Sequence, residues 1–194
     1  MTVYTFDRER LAEQLDHLND VKRLAFGIFL FERALPGFLS FQADSLVTGG
    51  GRLRAALARC WHVLETGDDR AEVFVNREAC EELLPDSEDY SSLFTSAAID
   101  AVNIGCNLLT YLDESGVAYL VEAAEARRDT ADLLIQLTEK LEPNDAELED
   151  KIIRHPLMQE ELKAQHDDIE LLKVTADERD VVLAATLRRV LHVN

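Results

Sequence analysis

Cysteine is scarce in this chain. Three residues, Cys60, Cys80 and Cys106, stand far apart in segments that read as helices. They form no close-spaced pair and cannot build the disulfide framework that holds small secreted domains together. Long apolar runs are missing too. No uncharged stretch approaches the ~20 residues a membrane span needs, and Asp7, Arg8, Glu9 and Arg10 occupy the region where a signal peptide carries its apolar core. Basic residues are outnumbered, 20 Lys and Arg against 38 Asp and Glu, which leaves a net charge of −18. Phosphate backbones and anionic lipid repel such a chain, so neither nucleic acid nor membrane is expected as a partner. The acid is spread over many segments, as on the solvated surface of salt-adapted bacterial proteins; the alternatives are a nucleic-acid mimic or a surface that steers a basic partner. These features describe a reduced, soluble, cytoplasmic protein.

Strand signals are nearly absent as well. Only Val73, Phe74 and Val75 read as strand, too few to support a sheet. With 194 residues and 47% hydrophobic content, the chain can bury roughly 70% of its unfolded surface. The expectation is all-α: residues 1–194 as a single helical domain of eight or nine helices around two buried central ones.

What is present has helical period. Thr5 or Asp7 is positioned to cap a first helix with Leu11, Leu15 and Leu18 on one edge, and Asn19 or Asp20 restarts the chain. Residues 21–35 hold Leu24, Ala25, Phe26, Ile28, Phe29, Leu30 and Phe31 with little polar arc, the pattern of a buried helix, and Pro36 with Gly37 reads as its end. Phe38, Leu39 and Phe41 follow in a short aromatic segment that leads to Gly49, Gly50 and Gly51, a loop. Leu53, Ala56, Leu57, Cys60, Trp61 and Leu64 then repeat at i, i+3, i+4, i+7, i+8 and i+11, with Gly67 placed to end the helix. Asn76 caps a short helix before Pro85. Beyond an acidic linker at 86–89, one helix is placed at 92–113 and another from Ser115 or Gly116 towards Pro143. Asn144 with Glu147, and Thr175 with Glu178, match the capping-box spacing. Pro156 separates a short helix from one running to Lys173, and Leu183, Leu187, Val190 and Leu191 give the last helix its apolar face.

The most unusual stretch is 94–112, where Asp100 is the sole charge in a chain that is 30% charged. At about 100° per residue, Ser96, Asp100, Asn103, Asn107 and Thr110 share one narrow stripe and apolar residues cover the rest. Neutral amides around one carboxylate indicate a sheltered surface: a helix contact, a pocket or an oligomer interface. Burying that carboxylate requires a cation or several donors, and Arg33, Arg54 and Arg59 on preceding helices are the candidates. The first expectation is a structural fastening of Asp100 with Asn103 and Asn107. The second is a ligand pocket at the seam.

Several word groups accompany this stripe: Phe31, Glu32, Arg33, Pro36 and Phe41; Gly51, Arg54 and Trp61; Ala98, Ile99, Asp100 and Ala101; and Pro156 followed by Glu160 and Leu171. In order and spacing the chain resembles, over nearly its whole length, the YjaG-like bacterial family, domain of unknown function family 416. The resemblance implies a small, helical, soluble protein and carries no activity, cofactor or catalytic residue. The chain has Val102 where a family relative places a Cys soon after the Ile-Asp-Ala word, and its own Cys at 106, which argues against a thiol role at that spot.

Recognised chemistry is otherwise missing. Gly49 to Gly51 ahead of Arg52 and Arg54 lack the preceding strand and the Lys-Ser/Thr of a phosphate loop. Glu13 with His17 and His62 with Glu65 share helix faces but not the Glu-x-x-His order of di-iron bundles, while Cys60 and His62 diverge. His166, Asp167, Asp168 and Glu170 read as a hydrated acidic face. No Gly-x-Ser-x-Gly elbow appears, and the cysteines read as small hydrophobes. No metal or cofactor is expected. The leading functional expectation is a non-catalytic protein acting through protein contacts or as a homo-oligomer; the alternative is an enzyme or small-molecule binder with its pocket at the Asp100 seam.

Overall fold

Short polar side chains start the first helices. Asp7, Asn19 and Asn76 each accept a backbone N–H three residues on, from Arg10, Lys22 and Ala79, all at 3.0 Å. Each satisfies a donor that a helix N-terminus leaves over. The computed structural model describes residues 3–68 and 75–192, with side chains through 188. Among the described residues lie nine helices and no strand: α1 (Arg8–Asp16), α2 (Asp20–Ser45), α3 (Gly50–Thr66), α4 (Arg77–Glu81), α5 (Thr95–Glu114), α6 (Val117–Glu139), α7 (Leu148–Arg154), α8 (Pro156–Val174) and α9 (Glu178–His192). The protein is all-α. Val73 and Phe74 of the strand-like word lie outside the described residues.

As expected, the second helix and the Asp100 helix form the centre. α2 packs most extensively on α5, and both also meet α3 and α6. Phe26, Phe29, Phe31, Phe38 and Phe41 of α2 are at most 1% exposed, and Ala98, Ala101, Val102, Ile104, Leu108 and Leu109 of α5 are wholly covered. The approach is close because side chains are missing at the contact. A Cβ on Gly37 would lie 3.0 Å from Ala97 Cβ, one on Gly105 2.8 Å from Phe31 Cζ, and one on Gly27 2.1 Å from Leu108 Cδ1. A smaller core of Ala131, Ile135, Ile152, Met158 and Leu162 joins α6, α7 and α8.

Pro36 and Gly37 do not end the second helix; α2 runs through both to Ser45. An internal proline costs about 3 kcal/mol. Continuing the helix buries Phe38 and Phe41 completely, each worth roughly 1.5–3 kcal/mol, and sets Phe41 edge-on to Tyr90 with ring centroids 5.0 Å apart. Two buried aromatics outweigh one lost hydrogen bond. By length and composition α2 could cross a membrane, but 61% of its apolar window is buried inside this fold.

The α3 face is as the spacing predicts, with Leu53, Ala56, Leu57, Cys60, Trp61 and Leu64 all buried. Gly67, at φ 68°, closes the helix by donating its N–H to Val63 O. Gly50 and Gly51 belong to α3 rather than to the loop before it. Both capping boxes fail. Asp145, not Asn144, receives the Glu147 N–H at 2.9 Å, and α7 begins at Leu148; Asp177, not Thr175, receives the Asp180 N–H at 2.9 Å. Asp competes for the capping role on equal terms with Asn and ranks above Thr. The α9 face also differs. Val181 and Ala185 are buried, whereas Leu183 and Leu187 are 57% and 54% exposed, because α9 packs on α2 through the opposite side. The side chains of Val190 and Leu191 lie outside the described residues.

Gly105→Ala should destabilise the fold by about 1–3 kcal/mol, since Phe31 and Cys80 leave no room for a methyl group. Gly51→Ala, where nothing lies within 4 Å, should be neutral or stabilising by up to about 1 kcal/mol. Urea unfolding of the two variants measures the contrast.

Candidate functional site

The Asp100 stripe faces α6 and α4, and Asp100 is hydrogen-bonded to a threonine rather than paired with an arginine. The Thr130 hydroxyl donates to Asp100 Oδ2 at 2.6 Å and lies 3.0 Å from Ala126 O. Asn103 is exposed and Asn107 half-buried; both line a groove of about 390 Å³ with Arg77, Glu81, Glu122 and Asp129. Thr110 turns back onto its own helix, donating to Cys106 O at 2.9 Å. Burial holds the Asp100 carboxyl above its ordinary pKa despite the Thr130 bond, with Asp129 adding repulsion. Among the described residues Asp100 forms no ion pair. Arg54 is exposed on α3, Arg59 pairs with Asp113 at 3.6 Å, and Arg33 is engaged elsewhere.

Arg33 lies in a buried charge cluster between α2, α6, α8 and α9. Its Nη1 donates to Asp168 Oδ2 at 2.7 Å, and its Nε is 3.5 Å from Glu161 Oε1. Arg188 on α9 pairs with the other Asp168 oxygen and places its guanidinium 4.6 Å from the centre of the Phe29 ring. Arg127 on α6 donates to Glu161 Oε2 at 2.7 and 3.2 Å, and Gln165 bridges Glu161 Oε1 to Ala124 O at 3.0 Å each. The side chains of Asp168 and Glu161 are 0% and 5% exposed. Burial alone would push Glu161 up, but Arg127 and Arg33 together hold it below the usual carboxylate range. Burial lowers Arg33 against the pull of Glu161, and lowers Arg188, with repulsion from Arg33, to about 10. Arg188 therefore keeps its charge at neutral pH.

α8 supplies both carboxylates because Met158, Glu161, Leu162, Gln165, Asp168, Ile169 and Leu172 share its buried face. Asp168 is thus not part of a hydrated surface; only its neighbours His166, Asp167 and Glu170 are exposed. Glu161, Arg127 and Arg188 escaped notice in the sequence. The available signal was the presence of Glu, Gln and Asp at i, i+4 and i+7 in positions where an amphipathic helix places Leu and Ile.

Next to the cluster is a cavity of about 620 Å³, walled by Phe29, Pro36, Ala97, Leu134 and Ala164 and by the three arginines. Nη2 of Arg33 has no hydrogen-bond acceptor and its Nε has only the long approach to Glu161 Oε1 at 3.5 Å, although both are shielded from solvent. Their hydrogens can receive one from a bound molecule. The other candidates fare differently. Gly50 N–H is taken by Gln42 Oε1 at 2.8 Å and Arg52 pairs with Glu82 at 2.9 Å, so the glycine loop serves its own chain. Among the described residues no three His, Cys, Asp or Glu side chains are placed to hold a metal ion. Cys60, Cys80 and Cys106 are all buried thiols.

A bundle whose two central helices carry an arginine–carboxylate cluster on one flank and a polar seam on the other defines an all-helical protein class. The family model described as "Protein of unknown function (DUF416)" matches residues 10–193, and the chain belongs to that family. It is similar to the crystal structure of a DUF416 family protein from Shewanella baltica OS155, with 19% identity, a TM-score of 0.79 and 93% of each chain covered. At that identity the likeness shows the fold. No curated protein matches the chain.

Three substitutions distinguish the buried cluster from the exposed surface and from the seam. Asp168→Ala leaves Arg33 and Arg188 without their shared partner and should cost about 3–5 kcal/mol in equilibrium unfolding, while Asp167→Ala, at an exposed pair with Lys163, should cost less than about 1 kcal/mol. Asp100 has the opposite sign. Because its folded pKa lies above the ordinary 3.8, the folded state holds the proton more tightly than the unfolded chain. That stabilisation is complete below 3.8 and is lost as pH rises through the folded pKa. Asp100→Asn keeps an acceptor for Thr130, so at neutral pH its melting temperature should equal or exceed that of the wild type, an advantage that disappears in acid.

Proposed function

We propose that this protein binds a small, partly apolar molecule bearing a carboxylate in the cavity between α2, α5, α6, α8 and α9. One observation carries the reading: Arg33 stands at the wall of a cavity of about 620 Å³ with its Nη2 lacking an acceptor and its Nε held only by the 3.5 Å approach to Glu161. The volume falls within the range of about 300–1,000 Å³ typical of small-ligand sites. A guanidinium fork matches a carboxylate in shape and charge. Phe29, Pro36, Ala97 and Leu134 supply apolar wall for the rest of the molecule. Binding suits the site better than acid–base chemistry, because Glu161 is held ionised and its oxygens are already bonded to Arg127 and Gln165. The reading places the ligand in this pocket rather than at the Asp100 seam. A reduced, cytoplasmic setting belongs to the same proposal, supported by three cysteines that stand as thiols.

A second reading, action through protein contacts or self-association, draws support from Leu183 and Leu187, one turn apart on α9 and both more than half exposed. A solution mass that remains monomeric at high concentration would remove self-association from it.

Thermal melts with benzoate, phenylacetate and octanoate test the ligand reading. A ligand present at a hundred times its Kd adds about 2.7 kcal/mol, which raises Tm by roughly 5–10 °C in a protein of this size. Ala164→Trp keeps every member of the ion pairs, places an indole in the cavity and should abolish the shift. An unchanged Tm with every carboxylate, or an equal shift in Ala164→Trp, refutes the assignment.

A further inference from the structure

The cavity beside the charge cluster holds a second unsatisfied group besides Arg33. Leu157, Glu160, Glu161 and Ala164 recur at i, i+3, i+4 and i+7 on α8, and all four line it. The two carboxylates are used differently. Glu161 is committed to Arg127, to Gln165 and, at 3.5 Å, to Nε of Arg33. Glu160, its chain neighbour, is exposed at the edge of the cavity and makes no hydrogen bond or ion pair among the described residues. A free carboxylate thus stands one residue from the group that reaches the open edge of a guanidinium. Resting on the carboxylate reading above, we infer that the molecule bound here is a zwitterion, an α-amino acid with an apolar side chain, its carboxylate on Arg33 and its ammonium group on Glu160.

Arg33 presents one side of its guanidinium to the ligand. Nη1 is engaged by Asp168 at 2.7 Å, so the side left over is the one formed by Nε and Nη2. Their N–H bonds run parallel and match the two oxygens of a carboxylate. An α-amino acid carries its ammonium group on the carbon next to that carboxylate, so the partner of the ammonium must lie close to Arg33. Glu160 is positioned for it, because the residue that follows it on α8 already reaches Arg33.

Charge points the same way. Glu32, Glu160 and Glu161 line the cavity alongside Arg33, Arg127 and Arg188, and Asp168 lies behind them, shared by Arg33 and Arg188. The wall therefore has no positive charge to spare. A plain carboxylate adds a negative charge that nothing offsets, in a chain whose net charge of −18 already repels anions. A zwitterion enters without that penalty. Phe29, Pro36, Ala97 and Leu134 then receive its side chain, which must be apolar, since a lysine or glutamate side chain would bury an uncompensated charge among them.

Matched ligands test the assignment by isothermal titration calorimetry on the full chain. Phenylalanine is compared with hydrocinnamate, which lacks the ammonium group, and with phenethylamine, which lacks the carboxylate; leucine, isocaproate and isoamylamine form a second set. In at least one set the amino acid should bind about tenfold tighter than the acid, the worth of one charge-assisted hydrogen bond, and the amine should bind weakest. Glu160→Gln changes an exposed, unpaired position, so the fold should survive and the amino acid should lose its advantage over the acid. If the acids bind as tightly as the amino acids, or the advantage persists in Glu160→Gln, the zwitterion is refuted and the carboxylate reading stands. Amines that match the amino acids refute it as well. If nothing in either set binds, the zwitterion falls, and the melts with benzoate, phenylacetate and octanoate decide whether the carboxylate reading falls with it.

Discussion

The close crossing of α2 on α5 is the constraint that the rest of this fold obeys. Gly37 against Ala97, Gly105 against Phe31 and Gly27 against Leu108 let the two helices approach to a distance that side chains would forbid. That approach turns five phenylalanines of α2 into the core and leaves Arg33 on the flank that α8 covers. It also accounts for Pro36, since a helix already held by buried rings on both sides of the proline tolerates one missing donor. On α5 the same geometry presents Gly105 to α4, which seats the Cys80 thiol against Gly105 and Val102 O.

A chain with a net charge of −18 has nonetheless drawn three of its arginines inward. Burying ions costs several kcal/mol each, and attraction repays this only where geometry is good and remaining hydrogens find acceptors. At Asp168 and Glu161 both conditions hold, with every carboxylate oxygen in contact with a guanidinium. At Arg33 the second condition is incomplete. The cluster is therefore better read as fixing which faces of α8 and α9 meet α2 than as a large source of stability, and its unfinished hydrogen bonding lies beside the adjoining cavity.

Legibility in the sequence followed the physics of each element. The α3 face was readable because six apolar residues at helical spacing pack on one side, and Asp7, Asn19 and Asn76 were readable as caps because a short polar side chain needs only local backbone. Pro36 misled because its penalty is local while the burial that overrides it lies farther along the helix and across on Tyr90. The capping boxes misled because Asp145 and Asp177 compete within two residues. Of the candidate seam residues, Asp100, Asn103 and Asn107 do share a groove, but Arg33 and Arg54 do not join them. Asp168 and Glu161 stayed hidden because charges at core positions look like surface until their arginines, supplied by three other helices, are placed opposite.

The cluster is assembled from distant parts of the chain: Arg33 lies on α2 and Arg188 on α9. During vectorial synthesis the aromatic flank of α2 emerges from the ribosome long before the helices that cover it. Phe29 waits for Arg188, and Arg33 for Asp168. A nascent chain can join α2, α3 and α5 early, but it cannot close its charged flank until α9 has emerged, so over that interval the aromatic face of α2 is open to chaperones.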